Sequence, residues 1–184
     1  MTGGGRLRTR AAIHLLLSGL WAGGLAFFAG AAGVVLRTAP SRADGGVINR
    51  ALLDLLDVAS LATAGTLAAL LVSWNRVRPW GKTARGLSLR LLAVAAVAAF
   101  VSLYLITPEM VALRAKAGPL FDSLPAADPL RRAWSRLHGL SSLTLVLRFL
   151  AAVAVFALGF REATAEETVK KPAPEPSPPP EGAA

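Results

Sequence analysis

The sequence contains no cysteine. Disulfide bonds, thiolate-bound metal sites and cysteine nucleophiles are therefore excluded for this chain. Histidine and methionine are also scarce, with two of each. A copper or haem protein would need more soft or imidazole ligands than these four residues offer. We therefore expect no metal and no cofactor, and a haem or copper membrane protein is the least favoured of the functions considered.

Acidic residues are the second scarcity. The chain has 11 Asp and Glu against 20 Lys and Arg, which gives a formal net charge of +9 at pH 7. A charge of this size could indicate a nucleic-acid-binding protein, but the basic residues flank long apolar segments and do not line one face. That distribution is typical of anchoring at the edges of a membrane. We expect a lipid bilayer as the partner, and no nucleic acid.

Apolar sequence, in contrast, is abundant and comes in long runs. Hydrophobic residues make up 54% of the chain, and the mean hydropathy is +0.52. A helix of about 20 apolar residues crosses the hydrocarbon core of a bilayer, whereas membrane strands are shorter and alternate in polarity. The predicted fold is therefore all-α, an integral membrane bundle of four transmembrane helices. The four predicted spans are 11–36, 52–74, 87–106 and 139–160.

The two ends of the chain differ from this apolar domain (11–160). The basic segment 1–10 could open a secretory signal peptide, but the 26-residue apolar run that follows exceeds the roughly 7 to 15 residues of a signal-peptide core. We therefore expect a retained helix after a cytoplasmic N-terminus. The segment 161–184 is rich in Pro, Glu and Ala without apolar periodicity, so it is predicted to be a disordered tail.

Loop charges predict the orientation in the membrane. With both termini in the cytoplasm, the cytoplasmic segments carry 11 Lys and Arg, and the two external loops carry 8. The third span could also begin at Leu91 instead of Leu87, and the segment from the second span to that point, 75–90, has five cations and no acid. Since cationic residues accumulate on the cytoplasmic side, we expect both the N-terminus and the C-terminus to lie there.

The loop between the third and fourth spans contains two helix-start signals. Thr107 followed by Pro108 predicts an N-cap with proline in the first turn. We expect this signal to end or kink the third span and to start a short amphipathic helix. Asp128 followed by Pro129 predicts a second start. A helix from 129 to 160 would be about 48 Å long, which exceeds the bilayer, so its first turns should project from it.

The first turns of this last helix contain a run of spaced residues: Leu130, Arg131, Trp134, Arg136, His138, Gly139, Leu140, Ser141 and Ser142. This run resembles the signature of the transmembrane protein 205-like family, also called domain of unknown function 4149. Further similarity lies in "LWAGGLAFF" of the first span and "TPEMVALRA" after the third, so the resemblance covers residues 15–160. It implies a four-span protein of the bacterial cytoplasmic membrane and little about its chemistry. Where the family often has an asparagine seven residues after the histidine, this chain has Leu145.

The last span carries a polar pattern with helical spacing, which predicts one polar face from the outer surface to an arginine in the middle of the membrane. Its positions i, i+3, i+4, i+7 and i+10 are His138, Ser141, Ser142, Leu145 and Arg148. Arg148 would cost about 2.5 to 3.5 kcal/mol at a helix centre, so it should face the bundle and a partner. The candidate partners are Asp54 and Asp57, one turn apart in the second span, and the depths of Asp57 and Arg148 differ by about 6 Å at 1.5 Å per residue. The predicted intramembrane polar cluster is His138, Ser141, Ser142, Arg148, Asp54 and Asp57.

Three interpretations of this arginine are open at the level of sequence. The Arg148–Asp57 pair could orient the helices, it could form a substrate or proton site, or Arg148 could instead extend to one membrane surface. His14 and His138 begin helices of opposite direction, so they should lie near opposite faces and share no ion.

No nucleophile elbow, phosphate loop or HExxH motif is present, and we expect no enzyme. Gly19 and Gly23 have GxxxG spacing, which favours close helix packing within the bundle or between copies of the chain. The first hypothesis is therefore a non-enzymatic membrane protein. The alternative is an oligomeric component of small-molecule or ion transport, because a four-span chain without an internal repeat is too small to transport alone.

Overall fold

A computed structural model describes the backbone of residues 3–74 and 82–170, and every element in those ranges is helical. Four helical stretches are long and apolar enough to cross a membrane. The predicted all-α class with four such helices is confirmed. The helices are α1 (Gly3–Thr38), α2 (Arg42–Trp74), α3 (Lys82–Val101), α4 (Thr107–Ala117) and α5 (Pro129–Lys170), with a π-helical segment at Ser102–Ile106 and a 3-10 segment at Gly118–Ser123.

The long helices form a closed ring. α1 packs against α2, α2 against α3, α3 against α5, and α5 against α1. α1 and α3 are therefore diagonal to each other, and so are α2 and α5. We call the end that holds the α1–α2 connection, α4 and the start of α5 the upper end. The opposite end, which holds the starts of α1 and α3 and the end of α5, is the lower end.

All four long helices contribute to the buried core. Alanines are frequent where α3 and α5 meet, and small side chains let membrane helices approach closely. Leucines from α1, α2 and α3 fill the remaining space. The core cluster consists of Trp21, Leu25, Ala64, Leu67, Leu71, Leu92, Ala95, Ala151, Ala152 and Val155.

The helices extend beyond the predicted spans. α2 begins ten residues earlier than the predicted span 52–74, because Ser41 caps it: the Asp44 amide donates to the Ser41 hydroxyl at 3.1 Å, and that hydroxyl donates to the Asp44 carboxylate at 2.7 Å. The polar sequence after Ser41 hides this start from a hydropathy criterion. α1 likewise begins at Gly3, inside the segment 1–10 that was separated from the membrane domain.

At the C-terminal side α5 continues to Lys170, ten residues beyond the predicted end of the fourth span. The prediction of a disordered tail is wrong for 161–170. Ala, Glu and Lys favour helix, and extending an existing helix avoids the cost of nucleation. The rest of the predicted tail, 171–184, lies outside the described residues.

α4 follows α3 through the π-helical segment without a gap, so the third span does not end at Thr107, which was one of the two outcomes predicted there. Thr107 is the first residue of α4 and makes no side-chain cap; its amide donates to the Ser102 carbonyl across the π-helical segment. Pro108 explains this irregularity, because proline lacks an amide hydrogen and its ring clashes with the carbonyl four residues earlier. The predicted amphipathic pattern of α4 is present: Met110 is half-buried, whereas Glu109 is exposed.

The predicted start of the last helix is confirmed. α5 begins at Pro129, and Asp128 caps it by accepting a hydrogen bond from the Leu130 amide at 2.8 Å. Arg131 donates to the Leu124 carbonyl and so fixes the preceding loop to the first turn of α5. The upper end therefore has a defined geometry from which α5 enters the bundle.

Candidate functional site: a buried arginine–aspartate pair

Arg148 lies in the middle of α5 and is fully buried. The residues of α5 that face the bundle follow helical spacing, so they form one stripe along the helix. This stripe is polar towards the upper end and apolar towards the lower end, with Arg148 at the transition. Its members are Ser141, Thr144, Arg148, Ala151, Ala152, Val155 and Gly159.

The Arg148 guanidinium reaches across the centre of the bundle. Its Nη1 donates a hydrogen bond to Oδ1 of Asp57, and its Nε donates to the Thr144 carbonyl of its own helix at 3.2 Å. Asp57 is also fully buried. Because α2 and α5 are diagonal neighbours, this ion pair joins two helices that do not pack along each other.

The energetics of such a pair are asymmetric. Bringing both charges out of water costs several kcal/mol per ion, and their mutual attraction offsets this cost only with good geometry. Removing one partner leaves an uncompensated charge in the interior, which is far more costly than replacing both by apolar residues. The two side chains are therefore expected to act as one unit.

A third polar group accompanies the pair. Ser102 of α3 is fully buried, and its hydroxyl lies beside the Asp57 carboxylate. Ser102 is the first residue of the π-helical segment, a type of irregularity that is frequent at functional sites. Nη2 of Arg148 is buried and has no hydrogen-bond partner among the residues that the structure describes.

Of the six residues in the predicted polar cluster, only Asp57 and Arg148 are paired with each other. Asp54 is not in contact with Arg148 but lies 3.6 Å from Arg50 of its own helix. Ser141 is buried on the same stripe, where its carbonyl accepts a hydrogen bond from the Thr144 hydroxyl at 2.8 Å.

Two members of the predicted cluster point away from it. The exposed Ser142 donates to the His138 carbonyl at 3.0 Å. His138 is exposed and stacks on Trp134, with ring centroids 5.1 Å apart. At about 100° per residue, Ser142 lies about 120° around the helix from Arg148. The spacing that we interpreted as one face was therefore too wide to converge on one point.

Sequence analysis missed several polar contacts between helices. The Trp21 indole Nε1 donates to the Ser60 hydroxyl at 3.0 Å, and both residues are buried. Nearer the upper end, the Asn49 side chain donates to the Ala32 carbonyl at 3.0 Å. Ser60 follows Asp57 by one turn, so the helical period of α2 was a signal that could have identified it.

The lower end contains a buried histidine. His14 of α1 is 1% exposed, and a Cβ atom at Gly159 of α5 would lie only 2.6 Å from its Nδ1. Gly159 follows His138 by 21 residues, or about 32 Å along α5. The two histidines are therefore at opposite ends of the bundle, as predicted. Among residues 3–74 and 82–170, no three His, Asp or Glu side chains are grouped as a metal site would require.

Comparison with known proteins finds no matching family model, no matching curated protein and no matching solved structure. No activity, ligand or partner can be carried over from a relative. A functional assignment must therefore be built from the residues of this chain and from the geometry described above.

Proposed function

We propose that the protein is a non-enzymatic, multi-pass membrane protein in which the Asp57–Arg148 pair fixes the diagonal helices of the bundle. The observation that supports this proposal is the complete burial of both side chains. A group that no solvent-sized molecule reaches is poorly placed to process a substrate. It is well placed to hold α2 and α5 at one depth and one rotation.

Helix register is a physical problem for this chain. Its core consists mostly of Ala, Leu and Val, and apolar faces of this kind pack acceptably in several relative positions. A buried polar pair that is satisfied in only one arrangement removes the alternatives, a role that buried polar groups have in other helical assemblies. The pair contributes specificity more than stability.

A double-mutant cycle tests this role. Asp57→Leu and Arg148→Leu should each destabilise the bundle, because each leaves one charge unpaired in the interior. The double variant should recover much of the loss, with a coupling energy of about 1 kcal/mol, since polar contacts inside membranes are weaker than their burial suggests. Unfolding by denaturing detergent, followed by circular dichroism, measures all four proteins.

Asp54→Leu provides the matched control. Asp54 lies one turn from Asp57 but pairs with Arg50, so Asp54→Leu and Arg148→Leu should be additive. Additivity in the Asp57 cycle as well would contradict the proposal. A double variant that is stable but loses the cellular phenotype of the protein would instead favour a ligand or proton site at the pair.

Transport by an oligomer is the second candidate, and the exposure of α1 supports it. In its most apolar 18-residue window only 11% of the residues are buried, against 28–33% for the other three helices. Its outer face carries an open apolar groove, and a second copy on this face would supply the additional helices that transport requires. Light scattering of the detergent-solubilised protein measures the mass, and a monomer would contradict the transport proposal. The groove is lined by Leu15, Leu16, Gly19, Leu20, Gly23, Gly24 and Phe27.

We further propose that the protein lies in a bacterial cytoplasmic membrane with both termini inside. The distribution of Lys and Arg supports this orientation. Because the chain lacks cysteine, single cysteines at Ser41, Asn75, Ser123 and Ser177 can be labelled without background. Reagent added from outside should reach positions 41 and 123 only. Labelling of position 75 from outside would show that the orientation is the reverse of the one proposed.

Membership of the transmembrane protein 205-like family is part of the same proposal. Its support is the resemblance of the α5 signature, whose residues have local structural roles here. Trp134 packs edge-on against Phe121 at 5.6 Å between ring centroids and stacks on His138. The signature thus describes how α5 begins and is joined to the preceding loop.

A further inference from the structure

The start of α5 presents two cationic side chains to its surroundings. Arg132 and Arg136 are exposed, and their spacing of four residues puts them on one side of the helix, one turn apart. Arg114, at the same end of the bundle, is paired with Asp122 at 3.0 Å. Arg132 and Arg136, in contrast, form no ion pair with any residue that the structure describes. Their charges are therefore available to a ligand.

The side of α5 that carries these arginines continues towards the lower end as an apolar surface, which we call the leucine stripe. It consists of Leu143, Leu147 and Leu150, all of which are exposed. At about 100° per residue, these leucines lie within about 60° of Arg132 around the helix axis. The fully buried Arg148 lies about 160° from Arg132, so the leucine stripe faces away from the bundle.

The depth of the two arginines matches that of lipid headgroups. The stretch of α5 that is long and apolar enough to span a membrane is Pro129–Ala165, and Arg148 lies within one residue of its middle. Arg136 precedes Arg148 by about 18 Å along the helix. The hydrocarbon core ends about 15 Å from the centre of a bilayer, and the headgroups extend to about 20 to 22 Å. Arg136 therefore lies at headgroup level, and the long side chain of Arg132 extends to this level from one turn above.

Gly139 leaves room between the arginines and the leucine stripe. It lies about 20° from Arg132 around the helix axis. A Cβ atom at Gly139 would have no atom within 4 Å. Its distance from Arg148 along the helix is about 14 Å, where the hydrocarbon core meets the interfacial layer. Charge, open space and apolar surface thus follow each other in the order of a phospholipid's phosphate, glycerol and acyl chain. A soluble anion would use the arginines but not the stripe.

We propose that Arg132 and Arg136 bind the phosphate of an anionic phospholipid whose acyl chain lies along the leucine stripe. Guanidinium groups donate paired hydrogen bonds to phosphate oxygens, and anionic lipids attract cationic side chains at the membrane surface. The proposal rests on the placement of the protein in a membrane. It depends neither on the role of the buried ion pair nor on which end of the bundle is cytoplasmic.

Native mass spectrometry of the full chain in detergent tests this site. Phosphatidylglycerol is the anionic probe, and phosphatidylcholine with the same acyl chains is the probe without net charge. The wild-type protein should bind phosphatidylglycerol more tightly, and equal affinities for the two lipids would overturn the proposal. Arg132→Gln and Arg136→Gln should each weaken the binding of phosphatidylglycerol about fivefold, and the double variant about 25-fold, which corresponds to about 1 kcal/mol per arginine. Because both side chains are exposed, circular dichroism should show that the variants fold like the wild type.

The double variant Arg37→Gln, Arg50→Gln is the matched control. Both residues are exposed at the upper end, on α1 and α2, so the control removes the same charge without changing α5. It should keep the wild-type affinity for phosphatidylglycerol. An equal loss in the control would mean that the lipid responds only to the overall charge of the upper end, and would overturn the assignment to α5.

Two further measurements separate this proposal from its alternatives. Inorganic phosphate at the same concentration should not displace the lipid, and displacement would overturn the proposal in favour of a soluble anion. The protein should also enter nanodiscs made of phosphatidylcholine alone. A protein that enters them but shows no preference for phosphatidylglycerol would contradict the lipid site only, whereas a protein that does not enter them would contradict the placement in a membrane.

Discussion

In the upper half of the bundle a guanidinium is buried against a carboxylate, whereas in the lower half an imidazole is buried against a glycine. Arg148 and Asp57 satisfy each other's charge across the diagonal. His14 instead occupies space that α5 leaves open at Gly159, where any side chain would collide with its ring. The upper half shows complementarity of charge, and the lower half shows a close steric fit.

A buried ion pair and a buried ring packed on a glycine place different requirements on the sequence. A buried charge needs a partner of opposite charge at the right depth, so two positions must change together. A buried ring also needs room, and the missing Cβ of Gly159 provides it. The upper half should therefore respond to changes of charge, and the lower half to changes of volume. The three predictions that follow use this contrast, in order of decreasing expected effect.

Gly159→Ala should destabilise the protein by about 1 to 3 kcal/mol, the usual cost of overpacking a well-packed contact. The added Cβ would lie 2.6 Å from His14 Nδ1 and 2.7 Å from its Cε1, so either the ring or the helix must move. Alanine also favours the helix over glycine by up to about 1 kcal/mol, which opposes the steric cost. A net loss of stability would therefore show that the steric cost is the larger of the two effects. Detergent-induced unfolding measures it.

Gly139→Ala on the same helix is the control. A Cβ at Gly139 would have no atom within 4 Å, so only the propensity gain applies and the variant should be neutral or more stable. If Gly159→Ala and Gly139→Ala changed the stability equally, the close fit of His14 against Gly159 would contribute nothing measurable to the packing of the lower half. A double variant His14→Ala, Gly159→Ala should recover part of the loss, because the smaller side chain makes room for the new Cβ.

Ser60→Ala should destabilise the bundle by about 1 kcal/mol, because it leaves the buried Trp21 indole N–H without its acceptor. Trp21 and Ser60 lie between the two halves and join α1 to α2 by a neutral hydrogen bond of 3.0 Å. Thr66→Ala is the matched change on α2, since the exposed Thr66 hydroxyl bonds only to the Ala62 carbonyl of its own helix. Equal effects of the two variants would mean that the Trp21 contact contributes nothing measurable.

Much of this architecture is readable from the sequence. Span number follows from apolar length, and the start of α5 follows from Asp128 and Pro129, because these signals are local. The pairing of Arg148 with Asp57 was also predictable, since a charge in an apolar span stands out and few acids are near. Local signals fail where the helix continues through polar residues, as it does before Leu52 and after Phe160.

The remaining features depend on which helices become neighbours, and a single sequence does not specify that. Gly159 is one of 17 glycines, and nothing in its local sequence shows that His14 packs against it. Ser102 faces Asp57 from another helix, beside a π-helical irregularity that shifts the faces of α3. His138 was misplaced for the opposite reason, because helical spacing was extended over ten residues without fixing the direction of the bundle centre.

The smallest expected effect is that of the ion pair at the surface of the upper end. Arg50 Nε and Asp54 Oδ2 lie 3.6 Å apart, and the side chains are 48% and 34% exposed. Because the pair lies in the upper part of α2, we expect water to screen its attraction. Arg50→Ala should therefore cost no more than about 0.5 kcal/mol, the size typical of exposed pairs one turn apart on a helix. That loss should shrink further in high salt, whereas the loss in Arg148→Leu should not change with salt, since the buried pair is out of reach of mobile ions. Unfolding measurements at low and high ionic strength separate the two cases. A strong salt dependence for Arg148→Leu would mean that water and ions reach the centre of the bundle, and the contrast between a satisfied interior charge and a solvated surface charge would then fail.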